Sequence, residues 1–237
     1  MKDTLSSIDI AIILRDLQFL VGMRLNNVYD GNNYRNYYLK FSETDNKKFL
    51  YCEAGNKFFS DNTTFELSRQ MPTSFCSKLR KHLKNKRLTK FYQINDDRIV
   101  ILQFGNDEFI NNMIIEFYSS GNIIITDNEF NIIHMLRKHI YNDDNKNIYP
   151  IEIKPNIVDI DNKLLIDSFD MTNNNDLLQA IKSNKYLLKL PPSIIKHILL
   201  DYEFSNNIDI SKFIIYLKTL LNDISKVSKG FIIMKNN

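Results

Sequence analysis

Cysteine occurs twice, as Cys52 and Cys76, with no CxxC pair, and histidine only four times. That scarcity argues against a disulfide-built scaffold. His134 and His139 are too isolated to hold zinc without further ligands, so no metal is expected. Two free thiols in a reducing compartment are the expectation. Glycine is scarce as well: none lies between Gly121 and Gly230. The first 140 residues show no phosphate-loop glycine pattern, no nucleophile elbow and no carboxylate–histidine constellation, so neither a catalytic pocket nor a cofactor site is expected. No apolar run approaches the roughly 18–20 residues of a membrane span. The apolar start of the chain is interrupted by Asp9, Arg15 and Asp16 and is followed by no small-residue cleavage site. A cytoplasmic, non-enzymatic protein without a membrane partner is expected.

One acid-free window is also strongly basic. Residues 67–95 contain no Asp or Glu, and residues 69–90 hold eight of the 31 Lys and Arg residues, whereas the whole chain has 28 acids and a net charge of only +3. The window opens MPTSFCSKLRKHLKNKRLTK. Pro72-Thr73-Ser74 suits a helix start, and Phe75, Leu79 and Leu83 form an i, i+4 apolar row. At 100° per residue Arg80, Lys81, Lys84 and Arg87 fall on the opposite side, with Lys78 and Lys86 nearer the flanks. A charge run of this kind is either a solvated helix face or a phosphate-binding surface. Composition fits a folded globular chain: 43% hydrophobic and 25% charged residues in 237 allow one large or two small domains. The excess of Asn, as at Asn173-Asn174-Asn175, is a bias without chemistry of its own.

Taken in order, Ser6-Ser7-Ile8-Asp9 matches a capped helix start with an acid three residues on, and Ile10, Ile13, Leu14 and Leu17 mark a buried face ended by Gly22. Strands are expected at 24–29, 34–41, 49–53 and 57–60, and again at 89–94, 98–104, 111–118, 122–126 and 131–137, with Gly121-Asn122 as a hairpin turn. Tyr34, Tyr37 and Tyr38 suit strand packing better than base stacking. Glu116, inside an apolar strand, is expected to point outward or to pair with a basic residue. Asp97-Arg98 sits where a turn meets a strand, which alone means only local charge pairing. Residues 142–156, with Pro150 and Pro155, read as a linker, and 175–183, 192–202 and 210–225 as helices. The expected fold is therefore α+β: an antiparallel β-sandwich or barrel with flanking helices, then a small all-helical part. The expected domains are 1–140 (β-rich), 141–157 (linker) and 158–230 (helical).

Three stretches in fixed order, PTSFCSKLRKHLKNKRL, NDDRIVILQF and IIEFYSSGNIIITD, together with Ser7-Ile8-Asp9 and the run Gly22 to Tyr29, resemble the N-terminal region of the NFACT family. The likeness covers residues 1–140 well and the remainder loosely. It implies a β-rich domain similar in architecture to the N-terminal part of formamidopyrimidine-DNA glycosylases, followed by a helix-hairpin-helix-like domain. It implies an RNA-binding adaptor of ribosome-associated quality control. Such an adaptor binds tRNA and a large ribosomal subunit carrying stalled peptidyl-tRNA, and supports mRNA-independent tailing of the nascent chain. A ubiquitin ligase is implied as a further partner through regions this chain lacks. The resemblance raises Asp9, Asp97 and Arg98 to tRNA-binding candidates and gives Lys78, Arg80, Lys81, Lys84 and Arg87 a role on the nucleic-acid backbone. Two departures matter. The turn matching the family's glycine-containing hairpin reads Lys189-Leu190-Pro191-Pro192, and each proline removes a backbone donor. The chain begins Met1-Lys2-Asp3, without the N-terminal proline that serves a glycosylase as nucleophile, which weighs against the alternative of a glycosylase-like DNA-binding protein. A fibronectin-binding adhesin, the other alternative, would need an export signal or anchor, and none is read here. The run from Gly230 to Lys235 looks like a strand cut short, as expected of a fragment.

Overall fold

A computed structural model describes residues 4–44, 46–61, 71–106, 109–141, 147–151, 156–169, 180–181, 183–187, 190–201 and 209–226. Met1-Lys2-Asp3, Asn173-Asn174-Asn175, Lys189, the run from Gly230 to Lys235 and most of the helix expected at 175–183 lie outside these residues. The chain divides into two compact units, Met1–Lys154 and Pro155–Asn237.

The first unit is built on two antiparallel meanders. Strands β1 (Arg24–Asp30), β2 (Asn36–Glu43), β3 (Asn46–Glu53) and β4 (Lys57–Asp61) form one sheet in sequence order. Strands β5 (Leu88–Gln93), β6 (Ile99–Phe104), β7 (Asn111–Glu116), β8 (Asn122–Thr126) and β9 (Ile132–Met135) form the other. Alternate residues of both sheets meet in one core, where Phe41 stacks near Phe104 at 6.2 Å between ring centres and Phe58 meets Phe117 at 5.0 Å. The fold is α+β with two antiparallel sheets. Helix α1 (Ser7–Asp16) and helix α2 (Ser74–Leu83) add Ile10, Leu14, Cys76, Leu79 and Leu83 to the same core.

Sheet two is apolar on both faces. Val100, Leu102, Met113 and Ile115 enter the shared core, while Ile101, Ile114 and Ile124 pack with Ile132 and Tyr149 on the far side. Two sequence expectations change here. Tyr149 is buried, and Ile148 bridges to Asn131, so this part of the stretch read as a linker belongs to the packing of the first unit. Glu116 neither points outward nor forms an ion pair among the described residues. It is 4% exposed and accepts hydrogen bonds from the Tyr149 hydroxyl at 2.9 Å and the Tyr141 hydroxyl at 3.0 Å. Burial foremost, and then the Glu116 charge, push both phenols well above their usual pKa, so they stay donors. Hydroxyls from residues far along the chain thus satisfy a carboxylate that local pattern assigns to solvent.

The glycines at two turns have fixed jobs. Gly55, after β3, donates its N–H to the Glu116 carbonyl at 2.9 Å, and the turn before β8 approaches it so closely that a Cβ on Gly121 would lie 1.9 Å from the Gly55 nitrogen. Gly121 precedes β8, and the reversal is completed by Ser119 and Gly121, both at positive φ (53° and 63°), rather than by Gly121-Asn122. Gly22 likewise does not end α1: the helix closes on Leu17, and Gly22 (φ 94°) turns the chain into β1 after a 3-10 turn at Gln18–Leu20.

The described secondary structure of the second unit is helical: a 3-10 turn at Ile157–Asp159, α3 (Asn162–Asp167), α4 (Pro192–Asp201) and α5 (Ile210–Lys226). Asp161 caps α3 by accepting from the Lys163 and Leu164 amides at 2.8 and 3.3 Å. Phe213, Ile214 and Leu217 of α5 are buried, as their helical spacing requires, with Phe169 against Phe213 at 6.4 Å. The Lys218 ammonium donates to the Ile160 carbonyl, tying α5 to the start of the unit.

Candidate nucleic-acid interface

The first helix begins with a complete capping box. Ser6 Oγ accepts from the Asp9 N–H at 3.3 Å, and Asp9 Oδ2 accepts from both the Ser6 N–H and the Ser6 hydroxyl at 2.6 Å. The half-buried Asp9 carboxylate therefore sits in the first turn of α1, where unpaired amides and the helix dipole favour an anion.

Asp97 and Arg98 lie in the turn between β5 and β6. Asn95 and Asp96 both adopt φ 52°, a left-handed pair that short polar side chains tolerate. The turn is closed by the Asp97 N–H on the Ile94 carbonyl at 2.8 Å and the Ile94 N–H on the Ile99 carbonyl at 3.1 Å. Asp97 Oδ1 accepts the Arg98 N–H at 2.7 Å, and the Arg98 carbonyl accepts from Phe117 at 2.8 Å. The backbone of Arg98 is thus fixed on both sides while its guanidinium, half-buried, makes no hydrogen bond or ion pair among the described residues.

One side chain joins these two places. The Gln93 amide nitrogen donates to the Ser7 carbonyl at 2.8 Å and to the Asp97 carbonyl at 2.7 Å. The helix start that carries Asp9 and the turn that carries Asp97 and Arg98 therefore meet on a single amide, across 88 positions of sequence. Gln93 is absent from the sequence-level candidates because a glutamine at the end of a strand carries no signal of what its amide will reach.

The basic residues divide. Helix α2 starts on Thr73, whose Oγ1 accepts from the Cys76 N–H at 3.2 Å while its own N–H and hydroxyl donate to Asp30 at 3.0 and 2.5 Å. It ends at Leu83 because Asn85 turns left-handed at φ 67°. Arg87 therefore does not lie on the helix face. Lys81 and Lys84 are exposed, Lys78 is half-buried, and Arg80 is committed: its Nε donates to the Val28 carbonyl at 2.7 Å and its guanidinium covers the Tyr29 ring at 5.7 Å. Lys86 is committed too, donating to the Phe109 carbonyl and Asn111 Oδ1 at 2.6 Å each, and burial lowers its pKa. His82 of α2 meets His134 of β9 at 5.4 Å, and its buried Nε2 has no partner among the described residues. Burial first, then neighbouring cations, hold both imidazoles below their usual pKa. Past the helix, residues 85–88 pair with 22–25, which sets Arg87 directly opposite Arg24, a residue the charge-run reading passes over. Among the described residues no group of three or more His, Cys, Asp or Glu could hold a metal, and no helix is long and apolar enough to cross a membrane.

A sandwich of two meanders, with its first helix joined to the half-buried charged turn between β5 and β6, defines the class, and comparison gives it a family. The profile of the NFACT N-terminal and middle domains matches residues 6–190, and the chain belongs to the NFACT family. It is 35% identical over 216 residues to the ribosome quality control complex subunit NEMF homolog of Drosophila melanogaster, covering 88% of this chain and 21% of that protein. It is 34% identical over 262 residues to the ribosome quality control complex subunit NEMF of Homo sapiens, covering 99% of this chain and 23% of that protein. The chain thus spans less than a quarter of either relative. In fold it is similar to the N-terminal part of the fibronectin/fibrinogen-binding protein from Streptococcus suis, with a TM-score of 0.70 at 16% identity, over 91% of this chain and 85% of that structure.

Proposed function

We propose that this chain is a non-catalytic RNA-binding module of ribosome-associated quality control in the cytoplasm. It engages tRNA on the large ribosomal subunit and supports mRNA-independent extension of a stalled nascent chain. The observation that supports the reading is the Gln93 amide bonded to both the Ser7 and Asp97 carbonyls, which joins the helix start that carries Asp9 to the turn that carries Asp97 and Arg98. The relatives named as quality-control subunits support the setting.

In this reading the ribosome makes the peptide bond and the module supplies placement. Arg98 contacts a phosphate or a base. Asp97 repels phosphate, so it orients Arg98 or accepts a hydrogen bond from a base or a 2′-hydroxyl. Asp9 keeps its capping role and lends its negative charge to the same feature. Lys78, Lys81, Lys84 and Arg87 supply sequence-independent attraction to the backbone, and Arg80 contributes charge from its fixed position. The second unit acts as a helix-hairpin-helix-like domain whose Pro191-Pro192 turn has given up backbone donors, so it packs rather than grips phosphate. A ubiquitin ligase partner would be reached through regions beyond this chain.

Arg98→Ala in a full-length relative tests the reading. Tail synthesis, followed by the mobility shift of a stalled reporter, should fall at least tenfold while co-sedimentation with the large subunit changes by less than twofold. Equal loss of both, or of neither, would show that Arg98 does not read a tRNA feature.

A further inference from the structure

Arg24 and Arg87 form a pair that folding alone does not favour. The Leu25 N–H donates to the Lys86 carbonyl at 2.9 Å and the Leu88 N–H to the Met23 carbonyl at 2.9 Å. Those two bonds flank the bridge between Arg24 and Arg87, so the arginines occupy a non-hydrogen-bonded antiparallel position, the kind whose Cα atoms approach to about 4.5 Å. Like charges directly opposite one another destabilise a strand pair. Yet both side chains are exposed, and neither has a carboxylate partner among the described residues. Their rotamers are nonetheless held: Arg24 Nη1 donates to the Asn85 carbonyl and Arg87 Nη1 to the Gly22 carbonyl, each at 2.6 Å. Each guanidinium clasps the opposing strand with one of its five N–H groups and keeps the rest for a ligand.

The register extends the row. Arg24 is opposite Ser42 of β2, and Ser42 is opposite Lys47 of β3. Cross-strand partners share a face, so Lys47, Ser42, Arg24 and Arg87 run side by side at about 4.8 Å per strand. Their neighbours Leu25 and Phe41 are in the core, so the row faces away from it. Because Arg24 reaches the carbonyl next to Lys84, the row continues into the exposed end of α2.

We propose that Lys47, Arg24 and Arg87 form a phosphodiester-binding row that carries an RNA backbone from the end of α2 onto the outward face of the first sheet. Two pre-set guanidinium forks at close range match an anion that accepts from both, and binding relieves their repulsion. The proposal rests on the RNA-binding reading above and adds Arg24 and Lys47 to it.

The test is the salt dependence of labelled tRNA binding to the 237-residue chain, measured by fluorescence anisotropy for wild type, Lys47→Gln, Arg24→Gln/Arg87→Gln, Arg24→Lys/Arg87→Lys and Lys81→Gln/Lys84→Gln. Each lost phosphate contact should make the log–log slope shallower by about 0.7–0.9. Lys47→Gln and the double Gln variant should both show this, and the double Lys variant, which keeps charge but loses the fork, should keep the slope. The Lys47 side chain makes no hydrogen bond or ion pair among the described residues, so its variant reports on binding even if the arginine variants lose stability. Unchanged slopes in Lys47→Gln and in the double Gln variant, with a shallower slope in Lys81→Gln/Lys84→Gln, would overturn the row and leave the α2 surface standing. Unchanged slopes in every variant, or no tRNA binding, would overturn both.

Discussion

Gln93 is the residue on which the candidate site turns. A hydrophobe there removes the one amide that bonds both the Ser7 and the Asp97 carbonyls. A typical intramolecular hydrogen bond contributes about 0.5–1.5 kcal/mol, so Gln93→Leu, which loses two, should lower stability in urea titration by about 1–3 kcal/mol. Amide exchange at residues 95–98 should quicken more than exchange in the strands. An unchanged exchange pattern would mean the turn holds its shape without the helix. His82 and His134 supply a pH signature. Their pKa values in the folded chain lie below the ordinary imidazole value of about 6.5, so the folded state binds fewer protons than the unfolded chain as pH falls past that value. Their contribution is complete above the unfolded pKa and is lost as pH falls through the lowered folded values. The urea midpoint should therefore drop between pH 7.5 and 5.5, and His82→Asn/His134→Asn should flatten that drop. A midpoint equally pH-dependent in the double variant would assign the effect elsewhere.

At the scale of elements, helix α2 owes its position to its cap, Thr73, and its length to the left-handed Asn85 beyond its end. Thr73→Ala removes the cap on Cys76 and the hydroxyl bond to Asp30 together. Caps contribute typically about 1 kcal/mol and a hydrogen bond to a charged group about 1.5–3 kcal/mol, so thermal melting should show a clear loss. Thr73→Ser should recover most of it. Local chemistry of this kind is legible in sequence: the capping box at Ser6, the cap at Thr73 and the strand cores bounded by Asn and Gly all follow from neighbours a few residues apart. What was not legible depends on register between distant strands. Arg24 and Arg87 become opposite only when 85–88 pairs with 22–25. Glu116 stays buried only because Tyr141 and Tyr149 return to it. The helix face projected through Arg87 failed at Asn85, where a left-handed residue stopped the periodicity two positions early. The tRNA-binding candidates themselves came from family resemblance, since an Asp-Arg pair in a turn carries no such meaning alone.

For the whole molecule the critical joint is the contact between the turn after β3 and the turn before β8, which pins one sheet to the other at one end of the sandwich. Gly121→Ala should be the most damaging single-methyl addition in the first unit. It places a Cβ at φ 63° and 1.9 Å from the Gly55 nitrogen and 2.4 Å from the Ala54 carbonyl carbon, all of it backbone. Expression should yield little soluble protein, or protein with a markedly lower melting temperature. Normal melting would mean the two turns can part without cost. Gly55 is under the same constraint from the other side, since its Cβ would meet the Ser120 carbonyl carbon at 2.7 Å and the Gly121 nitrogen at 2.9 Å. Neither clash involves a side chain that could be trimmed. A genetic screen for suppressors of Gly121→Ala should therefore find no compensating replacement at the joint, and the two glycines, 66 positions apart, behave as one unalterable locus in any mutational walk through this fold.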